Sequence, residues 1–229
     1  MNTRHLTALF QLVSPALPVG GFSYSQGLEA AVAEGLVSNE SNAQAWISSI
    51  LTGSFASAEG TLWVLLHRAW QSDDVEQVKH WNQWFWASRE THEFRMETEQ
   101  MGWSLVKLAQ QLDWGDPAEL DVLASIRPIT YPCAYAYACC NQGVDQEAGL
   151  TAYAFSWLEN QVMAAIKSIP LGQVSGQKIL QQAAALIPSV IATCLDRARA
   201  QPPRINTFSH QLAVLSSRHE TQYSRLFRS

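Results

Sequence analysis

The stretch Ile179–Leu195, ILQQAAALIPSVIATCL, decides the fold class. Its apolar residues Ile179, Leu180, Ala183, Leu186, Ile187, Val190, Ile191, Cys194 and Leu195 recur at spacings of three and four. That period places them on one stripe of an α-helix, the face a helix turns toward a core. Two Gln, a Pro, a Ser and a Thr interrupt the run, so it reads as a core helix and not a membrane span. Pro188 is expected to kink this helix without ending it, because the stripe continues on both sides. The same period runs through Tyr153, Trp157, Leu158, Val162, Ala165, Ile166 and Ile169. No stretch alternates with period two between hairpin turns.

The rest of the chain follows this lead. Ser41-x-x-Gln44 and Asp73-x-x-Glu76 have the spacing of capping boxes, and Asp116-Pro117 pairs an N-cap with a proline at the first helical position. Breakers fall at 14–21, 115–116, 127–132, 142–143, 170–172 and 202–203. The spacing predicts helices near 3–14, 23–36, 41–70, 74–88, 90–112, 117–125, 133–140, 146–168 and 173–200, followed by a looser tail. The expected architecture is an all-α, single-domain bundle of roughly eight to ten helices. Residues 1–200 form its body, and 201–229 form a flexible tail that docks on a partner.

The 229 residues are 47% apolar, which excludes a disordered or collagen-like chain. Charged residues make up 15%, against about 25% in typical domains. Nine tryptophans accompany that low charge, a composition suited to a surface partly covered by other proteins. The net charge of -5 and pI near 5.6 argue against nucleic-acid binding. The charge is uneven: Arg197–Ser229 carries six Lys+Arg and one acid. An acidic body with a basic tail favours docking between proteins. Cys133, Cys139, Cys140 and Cys194 form no C-x-x-C pair and read as buried reduced thiols. No signal peptide or membrane span is read, and the expected location is cytoplasmic.

Catalytic patterns are thin. His92-Glu93 begins an H-E-x-x-H match, but Met96 stands where the second histidine belongs. Glu90, Glu93 and Glu97 share spacings of three and four. That row either binds a cation or lines a solvated helix face with pairs such as Arg89–Glu93 and Arg95–Glu99. The turn Pro18-Val19-Gly20-Gly21-Phe22-Ser23 opens a helix, yet lacks the G-K-[ST] and G-x-G-x-x-G of nucleotide loops. No G-x-S-x-G elbow is present, so no catalytic residues are assigned. The terminal SRHETQYSRLFRS packs Arg218, His219, Glu220, Tyr223, Arg225, Leu226, Phe227 and Arg228 into a few positions. Chain ends are usually plain and polar, and this one has the composition of an interface anchor.

Four blocks in order resemble the UreF family of urease accessory proteins: Ser14–Glu29 (SPALPVGGFSYSQGLE), Arg89–Leu105 (RETHEFRMETEQMGWSL), Pro170–Gly176 (PLGQVSG) and His219–Ser229 (HETQYSRLFRS). The resemblance implies an all-α homodimeric adaptor without catalysis of its own. It implies bridging of a UreD/UreH-type protein and the UreG GTPase, on urease apoprotein, to help insert nickel. Tyr24 and Arg225 occupy positions associated in the family with forming the GTPase complex, and the tail with ordering when the UreD-type partner binds. No resident cofactor or metal site is expected, nickel being held by partner proteins. The competing readings are a GTPase-activating protein donating Arg89, Arg95 or Arg225, and a helical metalloprotein using the Glu90/Glu93/Glu97 face.

Overall fold

A computed structural model describes residues 2–229, so Met1 of the expected body lies outside it. All regular structure among the described residues is helical. The helices are α1 (Thr3–Val13), α2 (Leu28–Ala33), α3 (Glu40–Ile50), α4 (Gly60–Gln71), α5 (Val75–Ala87), α6 (His92–Gln111), α7 (Pro117–Ser125), α8 (Tyr131–Asn141), α9 (Gln146–Ser168), α10 (Gln173–Ala184), α11 (Ile187–Arg199) and α12 (His210–His219). A 3₁₀ turn covers Gly21–Ser23, and a π-helical run, Leu51–Glu59, joins α3 to α4 without a break.

Helices α4 and α8 form the centre. In α4 nearly every residue from Gly60 to Trp70 is buried, and in α8 burial is continuous from Pro132 to Cys139. A helix apolar on all sides belongs inside a protein, and these two pack on each other, flanked by α5, α6, α9 and α11. Trp63, Tyr135, Tyr153 and Phe85 are the largest fully enclosed side chains. Each buried Leu or Phe contributes about 1.5–3 kcal/mol. Amphipathic α10 and α11 cover α3, α4 and α9, while α12 lies on α2 and α6.

Several expectations shift. The single helix expected over 173–200 is two helices bent by 41°, with Pro188 in the first turn of α11. Proline suits a helix start, where its missing N–H has no intrahelical carbonyl to serve. The helix expected over 23–36 shrinks to α2, because Gly27 at φ +80° interrupts it. The caps near 41 and 73 move to Asn39 and Asp74; Asp116 caps α7 as read. Residues 210–219, expected to be loose, form α12. No single helix is long and apolar enough to cross a membrane; only α10 and α11 taken together pass by length and composition.

Candidate functional site: a strap seated on buried carboxylates

The first, second and last of the quoted blocks converge. The Gly20–Gly27 turn uses glycines at φ +79° and +80° to reverse the chain, placing Ser25, Gln26 and Glu29 at the base of the site. Helix α6 brings Glu93 and Glu97, four residues apart, onto the same inner face. Thr91 caps it, accepting from the Phe94 N–H at 3.2 Å, and its hydroxyl lies 2.8 Å from Ser216 of α12. Helix α12 ends by delivering His219, and residues 220–229 then run back over α2 and α6 as a strap.

Three buried carboxylates hold this strap. Glu29 accepts the N–H groups of Leu226 at 2.7 Å and Phe227 at 2.9 Å. Glu93 accepts from Arg225 at 2.9 Å. Glu97 accepts from the Ser229 hydroxyl at 2.9 Å and from the Gln26 amide at 2.6 Å. Gln26 in turn accepts from the Trp157 indole of α9 at 2.7 Å. His219 is fully buried, with Nδ1 2.8 Å from Glu93 and Nε2 3.1 Å from Glu29. Ser25 donates its N–H and its hydroxyl to the Ser229 backbone oxygen, at 2.7 and 2.6 Å, and Arg228 N–H donates to Ser23. Charge-assisted bonds of this kind are the strong ones.

Electrostatics follow from burial. Loss of water pushes the Glu97 carboxyl up to about 7, against the opposing pull of its bonds from Gln26 and Ser229. Burial also raises the Tyr24 phenol, reinforced by Glu97 and opposed by Arg228, so Tyr24 keeps its proton at neutral pH. Glu220 accepts the His92 N–H at the start of α6, where the helix dipole favours a negative charge. Beside Glu97 lies a cavity of about 90 Å³ lined by Glu59, Arg89, Tyr153, Trp157 and Gln161.

The expected docking residues therefore divide. His219 and Phe227 face inward, and Tyr24 is buried beneath the strap. Tyr223 and Leu226 are exposed, as are Arg218, Glu220, Arg225 and Arg228, and Arg218 pairs with Glu34. Lys167 lies within 5.8 Å of the Phe22 ring and 5.6 Å of the Phe227 ring. The solvated-face reading of Glu90, Glu93 and Glu97 is corrected. Glu90 precedes α6 and is exposed, whereas Glu93 and Glu97 are buried under the strap. Arg89 pairs with Glu59 at 3.6 Å, and Arg95 donates to the Arg89 carbonyl, so neither makes the intrahelical pair expected of it. Glu29, Ser25 and Ser229 escaped the sequence reading; the quoted blocks contain all three, but their spacing gives no sign of a meeting across some 200 residues. Among the described residues no three His, Cys, Asp or Glu side chains group as a metal-ligand set.

Fold and site together define a class: an all-helical scaffold whose C-terminal strap is buttoned onto buried carboxylates of its own body. The UreF family model matches residues 37–184. The urease accessory protein UreF of Bordetella parapertussis is 56% identical over 218 residues, 95% of this chain and 99% of that protein. The UreF of Polynucleobacter asymbioticus is 51% identical over 229 residues, covering 100% of this chain and 99% of that protein. The bifunctional urease accessory protein UreEF of Bordetella bronchiseptica is 55% identical over the whole chain, which spans 53% of its length. The chain belongs to the UreF family of urease accessory proteins.

Proposed function

We propose that this protein is a cytoplasmic adaptor in urease maturation. As a homodimer, it joins a UreD/UreH-type protein to the UreG GTPase on urease apoprotein, so that nickel is passed to the enzyme by the assembly. The observation that carries this reading is the strap. It presents Tyr223 and Leu226 outward from a backbone held at Glu29, with the partly exposed Arg225 anchored on Glu93. An aromatic, an aliphatic and an arginine fixed on a rigid frame make a suitable anchor, because little entropy is lost when they dock. Nickel prefers imidazole, thiolate and carboxylate donors, and in this site the imidazole and the carboxylates are committed to one another and to the strap. Nickel is thus cargo of the complex, held by its partners.

Co-purification with the UreD/UreH-type protein and UreG tests the reading. Arg225→Ala or removal of residues 224–229 should cut capture at least tenfold while the helical circular dichroism spectrum stays the same. Full capture by both variants would overturn the role of the strap. Nickel titration of the isolated protein should give no tight stoichiometric isotherm, and a tight one would overturn the cargo assignment.

A further inference from the structure

We propose that a second docking groove, at the end of the bundle remote from the strap, holds an arginine-bearing segment of a partner protein against four carboxylates. This goes beyond the adaptor reading and does not depend on the strap's role. The groove has a volume of about 610 Å³, within the usual range for a binding site. The turn before α5, the start of α7 and the turn between α8 and α9 enclose it. Its rim carries Asp73, Asp116, Glu119 and Asp145, and among the described residues no lysine or arginine lines it. Buried Trp70, Tyr137 and Val144 form its floor. Three of the acids serve as helix caps, yet each spends one oxygen only. Asp116 Oδ1 accepts the Glu119 N–H at 2.9 Å, Glu119 Oε2 accepts the Asp116 N–H at 3.1 Å, and Asp145 Oδ1 accepts the Ala148 N–H at 2.9 Å. Their second oxygens, and the whole Asp73 carboxylate, have no bond among the described residues. The starts of α5, α7 and α9 each bring about half a positive charge, which reduces the four negative charges without cancelling them.

The field of the rim reaches the floor. Burial, then Glu119 and Asp116, raise the Tyr137 phenol, and burial, then Asp73, raise the Cys140 thiol. His67 adds a buried acceptor. It lines the groove at 2% exposure, with Nε2 3.4 Å from the Val144 carbonyl and Nδ1 without a partner. Burial lowers its pKa, so the ring is neutral, and an Nε2–H turned to Val144 leaves Nδ1 a bare lone pair. Among the described residues no three of these groups stand close enough to hold a metal ion. Acceptors spread around an apolar floor instead suit a cation with several donors and an apolar stem, which is the chemistry of arginine. The source is another protein, because the chain's own basic end is committed: Arg225 to Glu93 and Arg218 to Glu34. That end also lies along α9 from the groove, since α9 runs from its cap Asp145 to Lys167 beside Phe227, about 30 Å at 1.5 Å per residue.

Titration of the full chain with the peptide acetyl-Arg-Leu-Arg-amide, followed by ¹H–¹⁵N NMR, tests the groove. Saturable shifts should centre on the Trp70 indole and on residues 73–75, 116–122 and 141–145. In the Asp73→Asn/Glu119→Gln variant the glutamine keeps an acceptor for the Asp116 N–H, and asparagine tolerates the φ of +53° at position 73. That variant should bind at least about fivefold more weakly with an unchanged circular dichroism spectrum. Glu40→Gln/Glu90→Gln removes the same charge away from the groove and should stay within about twofold of the wild type. A peptide with citrulline in place of both arginines keeps the shape without the charge and should give no saturable shift. Shifts scattered over the surface, full affinity in the groove variant, or equal binding of the citrulline peptide overturns the proposal. A Trp70 indole that shifts with protein concentration in the absence of peptide assigns the groove to a second copy and overturns it too.

Discussion

Glu29 concentrates more of the strap's attachment than any other side chain. Its two oxygens receive two consecutive backbone N–H groups and the ring of His219. Replacing it by alanine leaves two amide donors and the buried His219 ring without their partner. Breaking a buried pair in this way costs about 3–5 kcal/mol. Glu29→Ala should therefore abolish exchange protection at Leu226 and Phe227 while leaving α4 and α8 protected, and Glu29→Gln, which keeps an acceptor, should lose less. The i, i+4 spacing of Glu93 and Glu97 was legible in the sequence as one helix face. Its burial was not, because the groups that bury it lie about 130 residues further on. Charge on a helix face reads as solvated unless its distant partner is known.

At the scale of elements, helix type was largely legible and helix limits were not. The 3.6-residue stripe marked α9, α10 and α11 because each packs one face on the core. Helix α12 escaped, since HQLAVLSSRH offers only a short stripe and its stability comes from packing on α2 and α6. Pro188 was seen but misjudged, as sequence cannot tell a kinked helix from a new helix start. Close helix contacts are equally hidden. A Cβ added at Gly102 on α6 would stand 2.8 Å from the Ile129 carbonyl oxygen and 2.8 Å from the Thr130 carbonyl carbon, backbone atoms with little room to move. Gly102→Ala should destabilise by about 1–3 kcal/mol, read as a lower urea midpoint with an unchanged slope.

For the whole molecule, one core explains the inert thiols. Burial raises Cys133, Cys140 and Cys194 to about 12 and Cys139 well above its ordinary value, so all four are protonated at neutral pH. Iodoacetamide at about pH 8 should modify native Cys133, Cys139 and Cys194 at least a hundredfold more slowly than the same residues in urea, with half-buried Cys140 the fastest of the native set. Mass spectrometry of the labelled peptides measures this. The contact of Ser25 with Ser229 spans 204 positions. The entropy of closing so long a loop is met only once the helices between have assembled. The groove that receives residues 220–229 is therefore formed before they can seat. A copy whose core misassembles has no such groove and cannot hold Tyr223 and Leu226 in their outward arrangement.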